Sequence, residues 1–182
     1  MTDAPSETEI REAYAKFVGA RDEAEAERLP WSALADFYTE DGVTIDPVWG
    51  RIEGREAIRT YCVESMSGLT GYGWWSRENW TMVDGPRVVS QWDQVLGNKD
   101  DGTHWFVPCL SILYFAGDGL FCYEYQMVNV GHIDAVLRDM GWVPNADLNP
   151  PPEHPNRDAS LPAAWAHLEP SLQSGPRRPD AP

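Results

Sequence analysis

Four strand-like runs follow one another between Trp74 and Val130, with only short turns between them. Trp74 to Val83 ends at Asp84-Gly85-Pro86, and Val88 to Leu96 ends at the six residues Gly97 to Gly102. His104 to Phe115 ends at Ala116-Gly117-Asp118-Gly119, and Leu120 to Val130 leads into a helix from about His132 to Met140. Such turns join antiparallel neighbours and leave no room for the crossover helix of a βαβ unit. The helical pattern instead comes first. From Glu7 to about Arg28, Ile10, Tyr14, Phe17, Val18 and Arg21 recur at three- and four-residue spacing, and Ser6 with Glu9 forms a capping box. Trp31, Leu34, Phe37 and Tyr38 give the stripe of a second helix. Helices followed by consecutive strands make an α+β chain. The economical arrangement is a strongly curved antiparallel sheet wrapped around the N-terminal helices, with a pocket between them.

One short strand interrupts the helices. Gly42-Val43-Thr44-Ile45 is β-rich, Pro47 stops it near Asp46, and Glu56-Ala57-Ile58-Arg59 opens a further helix after Gly50 and Gly54. Asp46 thus stands at a strand end beside Trp49. A carboxylate held against aromatic surface has its charged form disfavoured, which suits proton transfer. The same aspartate before proline also fits a turn residue whose side chain bonds nearby backbone N–H groups. The residues leave both readings open.

At 182 residues and 42% hydrophobic content the chain holds one domain with a sizeable core. Residues 1–148 form that domain. The triple proline at 150–152 opens a proline-rich C-terminal tail over 149–182, in which Leu161, Trp165 and Leu168 suggest a short helix within 160–168. Ser67 to Gly73 reads as a glycine-rich loop, and Ser174 to Pro182 as disordered. The formal net charge of −15 argues against nucleic acid and anionic membranes as partners. No apolar run reaches the ~20 residues of a membrane helix. The N-terminus lacks a signal-peptide pattern, and Cys62, Cys109 and Cys122 are too scattered for a metal site or disulfide framework, so a cytoplasmic location is expected. No histidine pair has metal-ligand spacing, and no dinucleotide, Walker or nucleophile-elbow motif occurs. The expectation is an activity without metal or cofactor. The nine tryptophans are the positive signal. Trp49, Trp74, Trp75, Trp80, Trp92 and Trp105 fall in strand-like or loop segments and suggest an aromatic-walled cavity.

The words Leu34-Ala35-Asp36-Phe37-Tyr38-Thr39-Glu40-Asp41-Gly42, Ile45-Asp46-Pro47-Val48-Trp49-Gly50 and Glu53-Gly54-Arg55-Glu56-Ala57-Ile58 resemble the nuclear transport factor 2-like superfamily. Within it the chain is most similar to SnoaL-like polyketide cyclases and ketosteroid isomerases, over about residues 7 to 143. The resemblance implies a cone-shaped, half-open barrel closed by helices around a deep pocket, and a homodimer through the outer sheet face. It places Asp46 at the isomerase general base, with Trp49 inserted before Gly50. Phe17 stands where the isomerase has its oxyanion tyrosine, with Tyr14 one turn earlier, and Ser111 stands near its protonated aspartate. The inferred register points Tyr123 and Tyr125 inward and Glu124 outward.

The leading expectation is an acid–base isomerase, cyclase or dehydratase acting on a small to medium hydrophobic carbonyl or polycyclic molecule. Asp46 is the base, and Tyr14 and Tyr125 are donors to the oxyanion. Phe17, Trp49, Tyr61, Trp92, Trp105, Cys109, Ser111, Tyr123 and Met127 are the expected substrate-binding residues. Inward tyrosines bonded to backbone, and Cys109 as a small core residue, are the plainer alternatives. A non-catalytic binding or assembly module of the same fold is the alternative function.

Overall fold

The computed structural model describes residues 5–67, 69 and 73–168. The glycine-rich loop falls largely outside these residues, and the segment from Ser174 onward falls wholly outside them. Helix α1 spans Glu7–Glu25, and Ser6 Oγ accepts from Glu9 N at 3.2 Å as the capping pattern predicts. Its face of Ile10, Ala13, Tyr14 and Phe17 is buried. Trp31–Phe37 is a 3-10 helix, shorter than the expected α-helix, because Tyr38 is already extended and opens strand β1, Tyr38–Asp46. Asp46 pairs with Gly50 across the turn Pro47-Val48-Trp49, so Gly50–Glu53 is a second strand, β2, where the sequence pattern suggests only a bend. Helix α2 (Arg55–Glu64) follows Gly54, whose φ of +91° suits glycine. Strands β3 (Trp75–Asp84), β4 (Arg87–Asn98), β5 (His104–Gly117) and β6 (Leu120–Val128) form the expected meander. Helix α3 (Val130–Asp139) is capped by Asn129.

The six strands make one curved, unclosed sheet in the order β2-β1-β6-β5-β4-β3. The expected all-antiparallel sheet is corrected at one seam: β1 and β6 run parallel, with Thr44 opposite Glu124. On the concave side, α1, the 3-10 helix and α2 bury Phe17, Leu34, Ile58, Leu113 and Phe121. On the convex side Val43, Ile45, Tyr114, Cys122 and Tyr123 pack against Leu161 from the tail.

Within the described residues the tail crosses the sheet margin. Arg51 N donates to Asn156 O at 2.8 Å, Arg51 Nη1 to Ser160 O at 2.6 Å, and Tyr123 Oη to Ala159 O at 2.6 Å. Trp165, within a 3-10 helix at Ala163–Leu168, donates its Nε1 to Asp41 at 3.0 Å. The tail crosses so closely over Gly50, whose φ is +81°, that a Cβ there would lie 2.5 Å from Asn156 O.

Candidate active site

A single insertion in β6 decides what faces the concave side. Opposite β5, Tyr114 pairs with Tyr123 while Phe115 pairs with Phe121, so Cys122 is an extra residue in the ladder. Such a bulge reverses the alternation beyond it. Phe121 is inward, Cys122 and Tyr123 are both outward, and Glu124 and Gln126 turn inward. This overturns two expectations. Tyr123 and Tyr125 lie on the convex face with the tail, so neither can serve a ligand on the concave side. Glu124, expected to face outward, points into the cavity.

Two adjoining chambers occupy the concave side. The inner one, of about 830 Å³ including space open to solvent, lies between α1, α2 and the sheet. Tyr14, Phe17, Tyr38, Tyr61, Trp31, Trp74 and Trp92 form its aromatic walls. The outer one, of about 1150 Å³ on the same basis, is bordered by Asp46, Trp49, Cys109, Met127, Ile133 and Trp142. Leu148, Asn149 and Pro151 bring the start of the tail to its rim. Tyr61, Trp74, Trp92, Gln94 and Gln126 line both chambers, so the two adjoin. Of the expected lining residues, Phe17, Tyr61, Trp92 and Ser111 border the inner chamber, and Trp49, Cys109 and Met127 border the outer. Trp105 borders neither. It packs at the sheet end against the α3 cluster, with Lys99 Nζ 4.3 Å from its ring centroid.

The cavity's tyrosines share a pattern: each donates its hydroxyl to a carboxylate. Tyr14 Oη donates to Glu78 Oε1 at 3.1 Å, Tyr61 Oη to Asp46 Oδ2 at 2.9 Å, and Tyr38 Oη to Glu124 Oε2 in the shortest of the three. Tyr14, expected to stabilise an oxyanion, is therefore committed to Glu78, which also takes Arg21 Nη2 at 3.1 Å and the hydroxyl of Ser90. Burial and the neighbouring carboxylates hold the phenols of Tyr14, Tyr38 and Tyr61 above their ordinary value, so they are protonated donors.

Asp46 takes the turn role with one oxygen and borders the outer chamber. Its Oδ1 accepts from Val48 N at 2.7 Å and Trp49 N at 2.6 Å, which is the turn role, while Oδ2 faces Tyr61 at the outer chamber. Glu124 is the more isolated acid, only 4% exposed. Burial raises its pKa, against the opposing effects of bonds from Tyr38, Gln126 and Ser111 and the charge of Arg21. Trp92 Nε1 donates to Ser111 Oγ at 3.1 Å, so the indole orients the serine beside the acid. Glu124 faces Thr44 across the β1–β6 seam, and Asp46 lies two residues further along the same face of β1. Glu124 thus borders the inner chamber and the turn-bound Asp46 the outer one.

Thiol chemistry is disfavoured, since burial pushes Cys62 up to about 12 and Cys109 to about 11. Among the described residues no group of three or more His, Cys, Asp or Glu side chains could hold a metal, and no helix is long and apolar enough to cross a membrane.

The architecture matches known proteins. A candidate SnoaL-like polyketide cyclase from Jannaschia sp. CCS1 superposes with a TM-score of 0.58 at 17% identity, covering 75% of this chain and 96% of the other. A hypothetical protein with a ketosteroid isomerase-like fold from Catenulispora acidiphila, solved with trimethylamine, gives 0.54 at 18% identity over 70% and 94%. SalBIII, an epoxide hydrolase/cyclase-like enzyme with a role in pyran ring formation in the polyether salinomycin, gives 0.54 at 17% over 70% and 95%. No curated protein sequence matches the chain. The profile of the SnoaL-like domain matches residues 22–124, from the end of α1 to the buried glutamate itself, and the chain belongs to the SnoaL-like family of the nuclear transport factor 2-like superfamily.

Proposed function

We propose that this protein is a cofactor-independent acid–base enzyme of isomerase, cyclase or dehydratase type. Its substrate is a small to medium hydrophobic carbonyl or polycyclic molecule received in the aromatic cavity. The observation that carries the reading is Glu124: a buried carboxyl of raised pKa, held by Tyr38 and facing the inner chamber, which adjoins the outer one. Raising a carboxylic acid toward neutral pH brings it close to the value at which it both takes and returns a proton efficiently. Glu124 then removes a proton beside the carbonyl and returns it elsewhere on the same molecule. Asp46, with Tyr61 donating to it, is the second carboxylate and serves the outer end of the substrate. Trp92, Trp74 and Phe17 supply flat apolar contact, and the side-chain amides of Gln94 and Gln126 supply polar contact. A homodimer through the outer sheet face belongs to this reading. The tail already covers the β1–β6 part, so the face left for it is the β3–β5 part, where Trp80, Met82 and Phe106 are exposed.

The test works whatever the final product is. Hydrophobic ketones that raise the melting temperature are incubated with the protein in deuterium oxide, and incorporation beside the carbonyl is read by mass spectrometry. The expected result is protein-dependent exchange that falls about a hundredfold or more in Glu124→Gln and less in Asp46→Asn. Binding without exchange turns the reading to the non-catalytic module, and exchange undiminished in Glu124→Gln removes Glu124 from the mechanism.

A further inference from the structure

The charges around the cavity do not balance. Among the described side chains that line the two chambers, one is a cation, Arg21, and three are carboxylates, Glu25, Glu124 and Asp46. Arg21 is divided among several partners, Glu25 among them, and so offsets the carboxylates only in part. Its Nη2 lies 3.1 Å from Glu78, its Nε lies 3.8 Å from Glu25, and its guanidinium rests 5.6 Å from the centroid of the Trp92 ring. Glu124 and Asp46 are bonded by neutral phenols, which orient a carboxylate without cancelling its charge. Glu25 accepts from Ser76 N at 2.9 Å, and burial raises its pKa as it does that of Glu124. The same chambers are walled by indoles and phenols, among them Trp31, Trp74 and Tyr61.

Aromatic faces attract cations, and more strongly where water is excluded. A cleft whose walls are of low dielectric and lined by one sign focuses its field, and the chain's formal charge of −15 adds to it at long range. An anionic ligand would bring a fourth negative charge to a cavity whose one arginine is engaged. A neutral ligand would bury the acids further without compensating them.

We propose that the ligand of this cavity carries a protonated amine or quaternary ammonium group, seated against the indole walls and compensating the Glu25, Glu124 and Asp46 carboxylates. The inference rests on reading the cavity as a ligand site and narrows its substrate class. The hydrophobic molecule bears a basic nitrogen, and the nitrogen orients it relative to Glu124.

Three probes of similar size and different charge test this on the full chain by calorimetry and thermal shift: phenethyltrimethylammonium, benzylacetone and hydrocinnamate. The ammonium is expected to bind about tenfold or more tightly than the neutral ketone, and hydrocinnamate most weakly. Glu25→Gln should weaken the ammonium about fivefold and leave the ketone unchanged. Equal or tighter binding of the ketone, tightest binding of hydrocinnamate, equal loss for all three probes in Glu25→Gln, or binding by none of them overturns the proposal. Its failure is separable from that of the catalytic reading. Ammonium preference without deuterium exchange leaves the ligand class standing and removes the enzyme, and exchange without ammonium preference does the reverse.

Discussion

Replacing Glu124 by glutamine should flatten the pH dependence of the protein's stability. The carboxyl is 4% exposed, and burial holds its pKa above the ordinary 4.5. The folded state therefore binds this proton more tightly than the unfolded chain does. The resulting stability is fully present below the ordinary carboxylate range and is lost as pH rises through the raised value. Across that window one such group costs about 1.4 kcal/mol of stability for each pH unit. Glu25 is raised in the same direction, so the wild-type slope approaches twice that figure where both titrate, about 2.8 kcal/mol per pH unit. Glutamine keeps the shape and still accepts from Tyr38, but its amide needs an acceptor among Thr44 and Ser111. At low pH the variant is expected to lie about 1 kcal/mol below wild type. Its stability then falls more slowly with rising pH, so the gap between the two curves narrows. Urea unfolding at a series of pH values from about 5 to 9 measures this directly. Parallel curves would refute the reasoning, because they would mean that Glu124 titrates alike in the folded and unfolded chain.

Gly50→Ala should loosen the tail, since a side chain at φ +81° is strained and its Cβ would meet the Asn156 backbone. A loss of about 2–3 kcal/mol is expected, with faster proteolysis after residue 154, and an unchanged melting temperature would contradict the contact. The three free cysteines are buried, and burial pushes Cys122 as well as Cys62 up to about 12, so a thiol reagent at mild alkaline pH should label none of them until the protein unfolds. Rapid labelling of any one in the native state would show that its segment opens.

The order of elements was legible because it rests on local signals. Glycine-rich turns at 84–86 and 116–119 punctuate the strands, and the Ser6 cap and the spacing of Ile10, Tyr14 and Phe17 mark α1. The parallel seam was not legible, since nothing in β1 or β6 alone states which strand it meets across more than seventy residues. The cavity face of β6 was misread for a definite reason. The register implied by the resemblance points Tyr123 and Tyr125 inward, and the extra residue at Cys122 turns Glu124 and Gln126 inward instead. A small cysteine between large aromatics is the one local hint of that bulge. The strand-end position of Asp46 was legible because a proline and a turn follow it. Its partner Tyr61 was assigned to the binding set, although the bond between them depends on how α2 settles on the sheet.

The hydrogen bond from Arg51 to Asn156 bears on a hazard common to open sheets. β2 ends the sheet on its side, and an uncovered margin of this kind offers a template to any extended peptide, including misfolded copies of the chain itself. Residues 156–160 occupy that template from within the same molecule, through main-chain contact and the Arg51 side chain together. Cleaving them away would leave the cavity's own residues in place but give the molecule an adhesive rim, so that a truncated form should aggregate at concentrations the full chain tolerates.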